Sequence, residues 1–196
     1  MEKGGLTQAL DAVGLTGSSR IGFADELRLG LRGTTRRVWG RRGIKVRQRL
    51  QVKYEWRYLF AAVDGQAGRV WWSWVPSMKA EALWPTIAGL QEMDVLDGLV
   101  WDNAPGHRDD EITDLDLALV GLPAYSPELN PAERLFEEIR RRFEGRVYAT
   151  LDAKAAEVQA FLEELDADPL RVRRLCGWNW INDAIATLPG PLANAA

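Results

Sequence analysis

Asp25, Asp102 and Glu133 are the residues whose surroundings best equip them for chemistry. Asp25 closes the short apolar run RIGFAD (20–25), and Asp102 closes GLVWD (98–102). Glu133 follows the turn-rich stretch LPAYSPELNPAE (122–133) and falls in the first turn of a predicted helix. Two carboxylates at strand ends and a third at a helix start can be brought together by one packed sheet. Such a trio offers only hard oxygen donors, suited to Mg²⁺ or Mn²⁺ rather than zinc. Two such ions ~3.5–4 Å apart serve phosphoryl transfer, activating a hydroxyl and stabilising the leaving oxygen.

Each carboxylate also has a plainer account. Strand alternation puts Ile21, Phe23 and Asp25 on one face, where an aspartate is costly unless paired or metal-bound; the alternative is an aspartate that only terminates the strand. Asp102-Asn103 ahead of Pro105 is a good turn opener. Asn130, Pro131 and Glu133 form an N-cap, a proline at the first helical position and a capping-box glutamate. Helix capping and metal binding are compatible, since a sharply stopped helix fixes where its first-turn carboxylate points. Glu137, one turn later, is the alternative third ligand. Asn103 and His107 are auxiliary candidates. His107 is the only histidine, so a histidine-pair metal site is excluded. Arg134, Arg140, Arg141 and Arg142 read as a solvated helix face balanced by Glu137, Glu138 and Glu144.

Charge is unevenly spread. The net charge is −3, yet twelve of the 25 basic residues lie between Arg20 and Arg57, against only Asp25, Glu26 and Glu55. That stretch carries +9 and the remainder −12. This asymmetry suggests a phosphate-binding surface on one part of the fold. Arg36, Arg37, Arg41, Arg42 and Lys45, around Trp39, are the candidate DNA contacts; a solvated basic loop is the alternative.

Hydrophobic content of 46% and charged content of 27% fit one ordinary globular domain of 196 residues. No apolar run approaches the ~20 residues of a membrane-spanning helix, and the N-terminus lacks the features of a signal peptide. Cys176 is the single cysteine, which excludes an intrachain disulfide and a cysteine-cluster zinc site. A cytoplasmic protein is expected. Periodicity predicts strands at 20–26, 56–63, 69–75, 97–101 and 117–122, and an exposed strand or hairpin arm at 44–53. Helices are predicted at 79–93, 131–144, 151–165 and 168–188, with a partly helical stretch at 107–116 and an irregular or partly helical leader at 1–19. This order implies an α/β chain with a mixed sheet flanked by helices.

Three blocks together, FADE (23–26), WDNAPGH (101–107) and YSPELNPAE (125–133), resemble the signatures of a DDE transposase, nearest the mariner-like bacterial insertion-sequence group. The resemblance covers roughly residues 21–143. It implies a ribonuclease-H-like single domain at 20–146, with a leader at 1–19 and a C-terminal helical extension at 147–196. It also implies that Asp25, Asp102 and Glu133 bind two Mg²⁺ or Mn²⁺ ions and catalyse cleavage at transposon ends and strand transfer into target DNA. The implied partners are double-stranded DNA, further copies of the chain on that DNA, and a helix-turn-helix recognition region or chain; no membrane partner is expected. The setting would be the bacterial cytoplasm, at the nucleoid. The alternative is a non-catalytic or truncated remnant that binds DNA or a partner chain.

Overall fold

Apolar residues on both faces draw the strand β1 (Ile21–Gly30) to the middle of the molecule. The computed structural model describes residues 5–33, 39–102, 112, 114–123 and 126–190. On one side β1 pairs antiparallel with β2 (Trp56–Asp64), which pairs antiparallel with β3 (Arg69–Val75). On the other it pairs parallel with β4 (Gly98–Trp101), and β4 pairs parallel with β5 (Ala118–Gly121). The order is therefore β3-β2-β1-β4-β5, a mixed sheet.

Helices cover both faces. α2 (Ala80–Glu92) buries Leu83, Ile87 and Leu90 against Ala24, Phe60 and Leu99. The opposite face carries two separate apolar clusters. One packs α3 (Pro131–Phe143), α4 (Leu151–Asp166) and α5 (Pro169–Cys176) onto Leu27, Leu29, Leu59 and Ala61. The other packs α1 (Gly5–Ala12) and α6 (Asn179–Ala186) onto Ile21, Phe23, Val100 and Val120. On β1, Phe23 belongs to the second cluster and Leu27 to the first. Asp25 lies between them on the same face, where the apolar cover is divided.

Most predicted elements form, with three differences. β1 runs four residues beyond the predicted end at 26, because its second half packs Leu27 and Leu29 under α3 and α4. The predicted arm at 44–53 is exposed and, among the described residues, has no strand partner. The last segment is two helices rather than one. Gly177 separates them, and a Cβ there would lie 2.7 Å from the Gly65 carbonyl oxygen. Within the leader, α1 is ordered by Leu6 and Leu10, both buried against α6. The predicted 107–116 stretch falls mostly outside the described residues. No helix among the described residues is long and apolar enough to cross a membrane.

The β2–β3 turn is held by a buried carboxylate. Asp64 Oδ1 accepts from the backbone N–H groups of Gln66 and Ala67, both at 2.8 Å. Burial pushes this carboxyl above its ordinary range, so the site favours a neutral acceptor. Asp64→Asn is expected to keep both bonds and the wild-type urea midpoint at neutral pH. Asp64→Ala, which removes the acceptor shared by two backbone donors, is expected to lose ~0.5–1.5 kcal/mol. Equal midpoints for the two variants would show that the carboxylate does not hold the turn.

Candidate active site

The parallel pairing of β1 with β4 carries the two aspartates into one region of the sheet. Gly22 pairs with Leu99 and Phe23 with Val100. The ladder ends at that pair, so Asp25 and Asp102 each lie two residues beyond it. Asp25 shares the face of Phe23 by strand alternation, and Asp102 directly follows β4. Ala61, also on that face, is the β2 partner of Asp25; its small side chain adds no bulk beside the carboxyl.

Glu133 is brought toward this region by α3. The helix begins at Pro131 after a 3₁₀ turn at Pro127–Leu129. Asn130, only 2% exposed, makes two contacts at once. Its Oδ1 accepts from Ala132 N–H at 3.0 Å, and its Nδ2 donates to the Ala24 carbonyl at 2.8 Å. The side chain therefore caps α3 and ties its first turn to the residue preceding Asp25. The second half of the predicted capping box is not the observed arrangement. Asn130 N–H donates to Pro127 O at 3.0 Å, so the 3₁₀ turn supplies the acceptor that Glu133 would otherwise provide. Glu133 Oε2 instead accepts from Arg140 Nη1 at 3.1 Å.

Asp102 and Glu133 lie within range for their charges to act on Asp25. The Asp25 carboxyl is pushed up to about 7, first by burial and then by the charges of Glu26, Glu133 and Asp102; the Glu26 backbone N–H, 2.8 Å from Oδ1, opposes this. Glu137 is not among those charges; it is exposed and paired with Arg134. Among the described residues, no three Asp, Glu, His or Cys side chains gather tightly enough to hold one ion. The carboxylates are thus electrically coupled but not closed around a common point.

The remaining candidates divide simply. Arg41, Arg42 and Lys45 stand exposed on the extended 39–55 segment. Asn103, His107, Arg36 and Arg37 lie outside the described residues. Arg140 is an addition: its i–7 partnership with Glu133 falls outside the i+3 and i+4 spacing by which helix pairs are read from sequence. Arg141 and Arg142, by contrast, both pair with Glu138, as a balanced helix face requires.

A five-stranded mixed sheet in the order β3-β2-β1-β4-β5 with helices on both faces is a ribonuclease-H-like fold, in which Asp102 follows the end of β4 as expected while Asp25 lies in the middle of the longer β1 and not at its end. The family model for the DDE superfamily endonuclease matches residues 20–153, and the chain belongs to that family. No curated protein matches it. Among solved structures it is similar to the Mos1 transposase paired-end complex with left transposon end, at 16% identity and a TM-score of 0.65, covering 94% of this chain and 60% of that one. The Mos1 mariner paired-end complex with Mn gives 16% and 0.65, covering 92% and 57%. The Mos1 strand transfer complex gives 17% and 0.67, covering 95% and 60%. The chain thus spans about three fifths of the transposase chains it resembles.

Two outcomes follow from this geometry. Asn130→Asp keeps an acceptor for Ala132 but turns a second oxygen toward the Ala24 carbonyl. It is expected to cost ~2 kcal/mol in urea unfolding, and wild-type stability would mean that capping alone matters. The second outcome concerns pH. Asp25 titrates in the folded chain at about 7, above its ordinary 3.8. Its contribution is present in full below the ordinary value. It is lost as pH rises to about 7, because the unfolded chain ionises first. In a chelating buffer, Asp25→Asn should therefore gain Tm relative to wild type from pH 4 to 7. A constant Tm difference would contradict the raised value.

Proposed function

We propose that this chain is the catalytic part of a DNA transposase, cleaving at transposon ends and transferring the strand into target DNA. The observation that carries this is the position of Asp25 between two apolar clusters on one face of β1, within range of the charges of Asp102 and Glu133. A half-buried cluster of like charges is unfavourable unless a cation or proton offsets it. All three groups are hard oxygen donors, which fits Mg²⁺ or Mn²⁺. Two bound ions would supply Lewis acidity for the attacking hydroxyl and charge for the leaving 3′-oxygen.

In this reading Asp25 on β1 and Asp102 just after β4 are two of the ligands. Glu133 completes the set by turning from Arg140 toward them, while Asn130 holds the helix start in place. Arg140 shields the Glu133 charge in the open arrangement. Double-stranded DNA lies along the basic 20–57 stretch, with Arg36, Arg37, Arg41, Arg42 and Lys45 as backbone contacts. Such contacts carry no sequence information, so recognition of the ends is assigned to a helix-turn-helix region or chain acting with this fold. The similar complexes are paired-end and strand-transfer assemblies, which supports a homo-oligomer working on DNA. The absence of a long apolar helix among the described residues is compatible with the cytoplasmic setting assigned here.

Asp102→Asn removes one ligand charge with little change of shape. With a recognition partner, a transposon-end substrate and Mg²⁺ or Mn²⁺, wild type should nick and join strands, and the variant should fall at least ~100-fold with an unchanged circular dichroism spectrum. Activity in EDTA, or in the variant, would overturn the mechanism. DNA binding without any metal-dependent nicking would instead identify a remnant that has kept only the fold. Arg36, Arg37, Arg41 and Arg42 changed together to glutamine should flatten the salt dependence of duplex binding, by ~0.9 in log–log slope per lost phosphate contact; an unchanged slope would remove this segment from the DNA path.

A further inference from the structure

A second basic site lies along the same two elements, away from the catalytic carboxylates. A cavity of about 570 Å³ opens between β1 from Leu27 to Gly30 and α3 from Ile139 to Phe143. Its walls include four cations, Arg28, Arg32, Arg140 and Lys154, against one acid, Glu144. Glu133 reaches Arg140 from the catalytic side.

Lys154 makes this more than a basic surface. It projects from the first turn of α4 and is 5% exposed. Its Nζ donates to the Gly30 carbonyl at 2.7 Å. Burial pulls its amine below the ordinary range, and Glu144 is the acid that counters this. A largely buried ammonium at the wall of a cavity is favoured by an anion beside it.

The arginines are braced as well. The Arg28 guanidinium lies 3.7 Å from the Trp56 ring centroid, and the Arg32 guanidinium 4.7 Å from that of Tyr54. Trp56 in turn lies against bare backbone: a Cβ on Gly30 would be 2.2 Å from its ring. Gly30 therefore seats Trp56 and also presents its carbonyl to Lys154. A guanidinium held against an aromatic ring loses little further freedom when it binds, and its planar fork suits oxyanions with several oxygens.

We propose that this cavity is a phosphate-binding site, with Arg28, Arg32 and Lys154 as its cationic lining. The ligand is a phosphate group, either in a nucleic-acid strand leading away from Asp25 and Glu133 or as a free oxyanion. The strand as source rests on the function proposed above; the site itself does not.

The test uses the full chain in EDTA, so binding is read without catalysis. Anisotropy of a labelled eight-nucleotide single strand is titrated across salt for wild type, Arg28→Gln/Arg32→Gln and a charge-matched control on α5, Arg171→Gln/Arg174→Gln. The first double variant should bind at least tenfold more weakly, with a log–log salt slope smaller by about 1.4, two single-strand contacts of ~0.7 each. The control should show neither change. Lys154→Met should lose affinity likewise; if it fails to fold, the exposed arginine pair decides alone. Competition by inorganic phosphate beyond chloride of matched ionic strength supports a site that also takes the free oxyanion. No such competition, with the variant effects intact, supports a strand-specific site. Affinity and slope of Arg28→Gln/Arg32→Gln equal to the control would overturn the proposal. Its failure would leave metal-dependent nicking by wild type standing, and absence of nicking would leave these binding results standing.

Discussion

One buried amide links the two halves of the candidate site. Asn130 bonds in one direction to the first turn of α3 and in the other to the Ala24 carbonyl. An asparagine can do this because it carries an acceptor and donors on one planar group. Aspartate lacks the donor and serine the reach. Ala24 precedes Asp25, and Glu133 lies three residues after Asn130, so the spacing of these acids depends on a contact of about 3 Å between residues 106 positions apart. The proline at 131 adds to it by fixing the backbone where the helix starts.

Repulsion is the cost of that placement. Burial and three neighbouring acids hold the Asp25 proton up to about neutral pH. Arg140 provides local relief to Glu133, and the Glu26 N–H to Asp25. The surrounding packing tolerates the strain because the apolar clusters stop on either side of it, at Phe23 and at Leu27. The site is thus a designed interruption in the core, and proteins commonly concentrate such local conflicts where function lies.

Much of this was legible from residue order. Strand alternation put Asp25 on the face of Ile21 and Phe23, and the sheet register agrees. The helix start at 131 followed from Asn130 and Pro131, whose effects are local. The partner of Glu133 was not legible, since a capping box and an Arg140 ion pair use the same glutamate and only the 3₁₀ turn decides between them. The 44–53 segment shows the opposite limit: alternation of Ile44, Val46, Leu50 and Val52 reports a two-sided chain, but whether a neighbouring strand exists is a tertiary matter. The single helix expected at 168–188 divides because Gly177 meets the turn at Gly65, a contact between distant segments.

Cys176 gives the molecule a chemical clock. Its thiol is 1% exposed, donates to the Pro131 carbonyl at 3.5 Å and is pushed up to about 12 by burial. The same helix start is thus held from two sides, by Asn130 toward the sheet and by Cys176 from α5. Thiolate is the reactive form, so this sulfur stays inert while α5 remains seated. Its alkylation rate in native buffer measures how often the support behind Glu133 comes away, one opening at a time, in a chain with no other thiol to confuse the count.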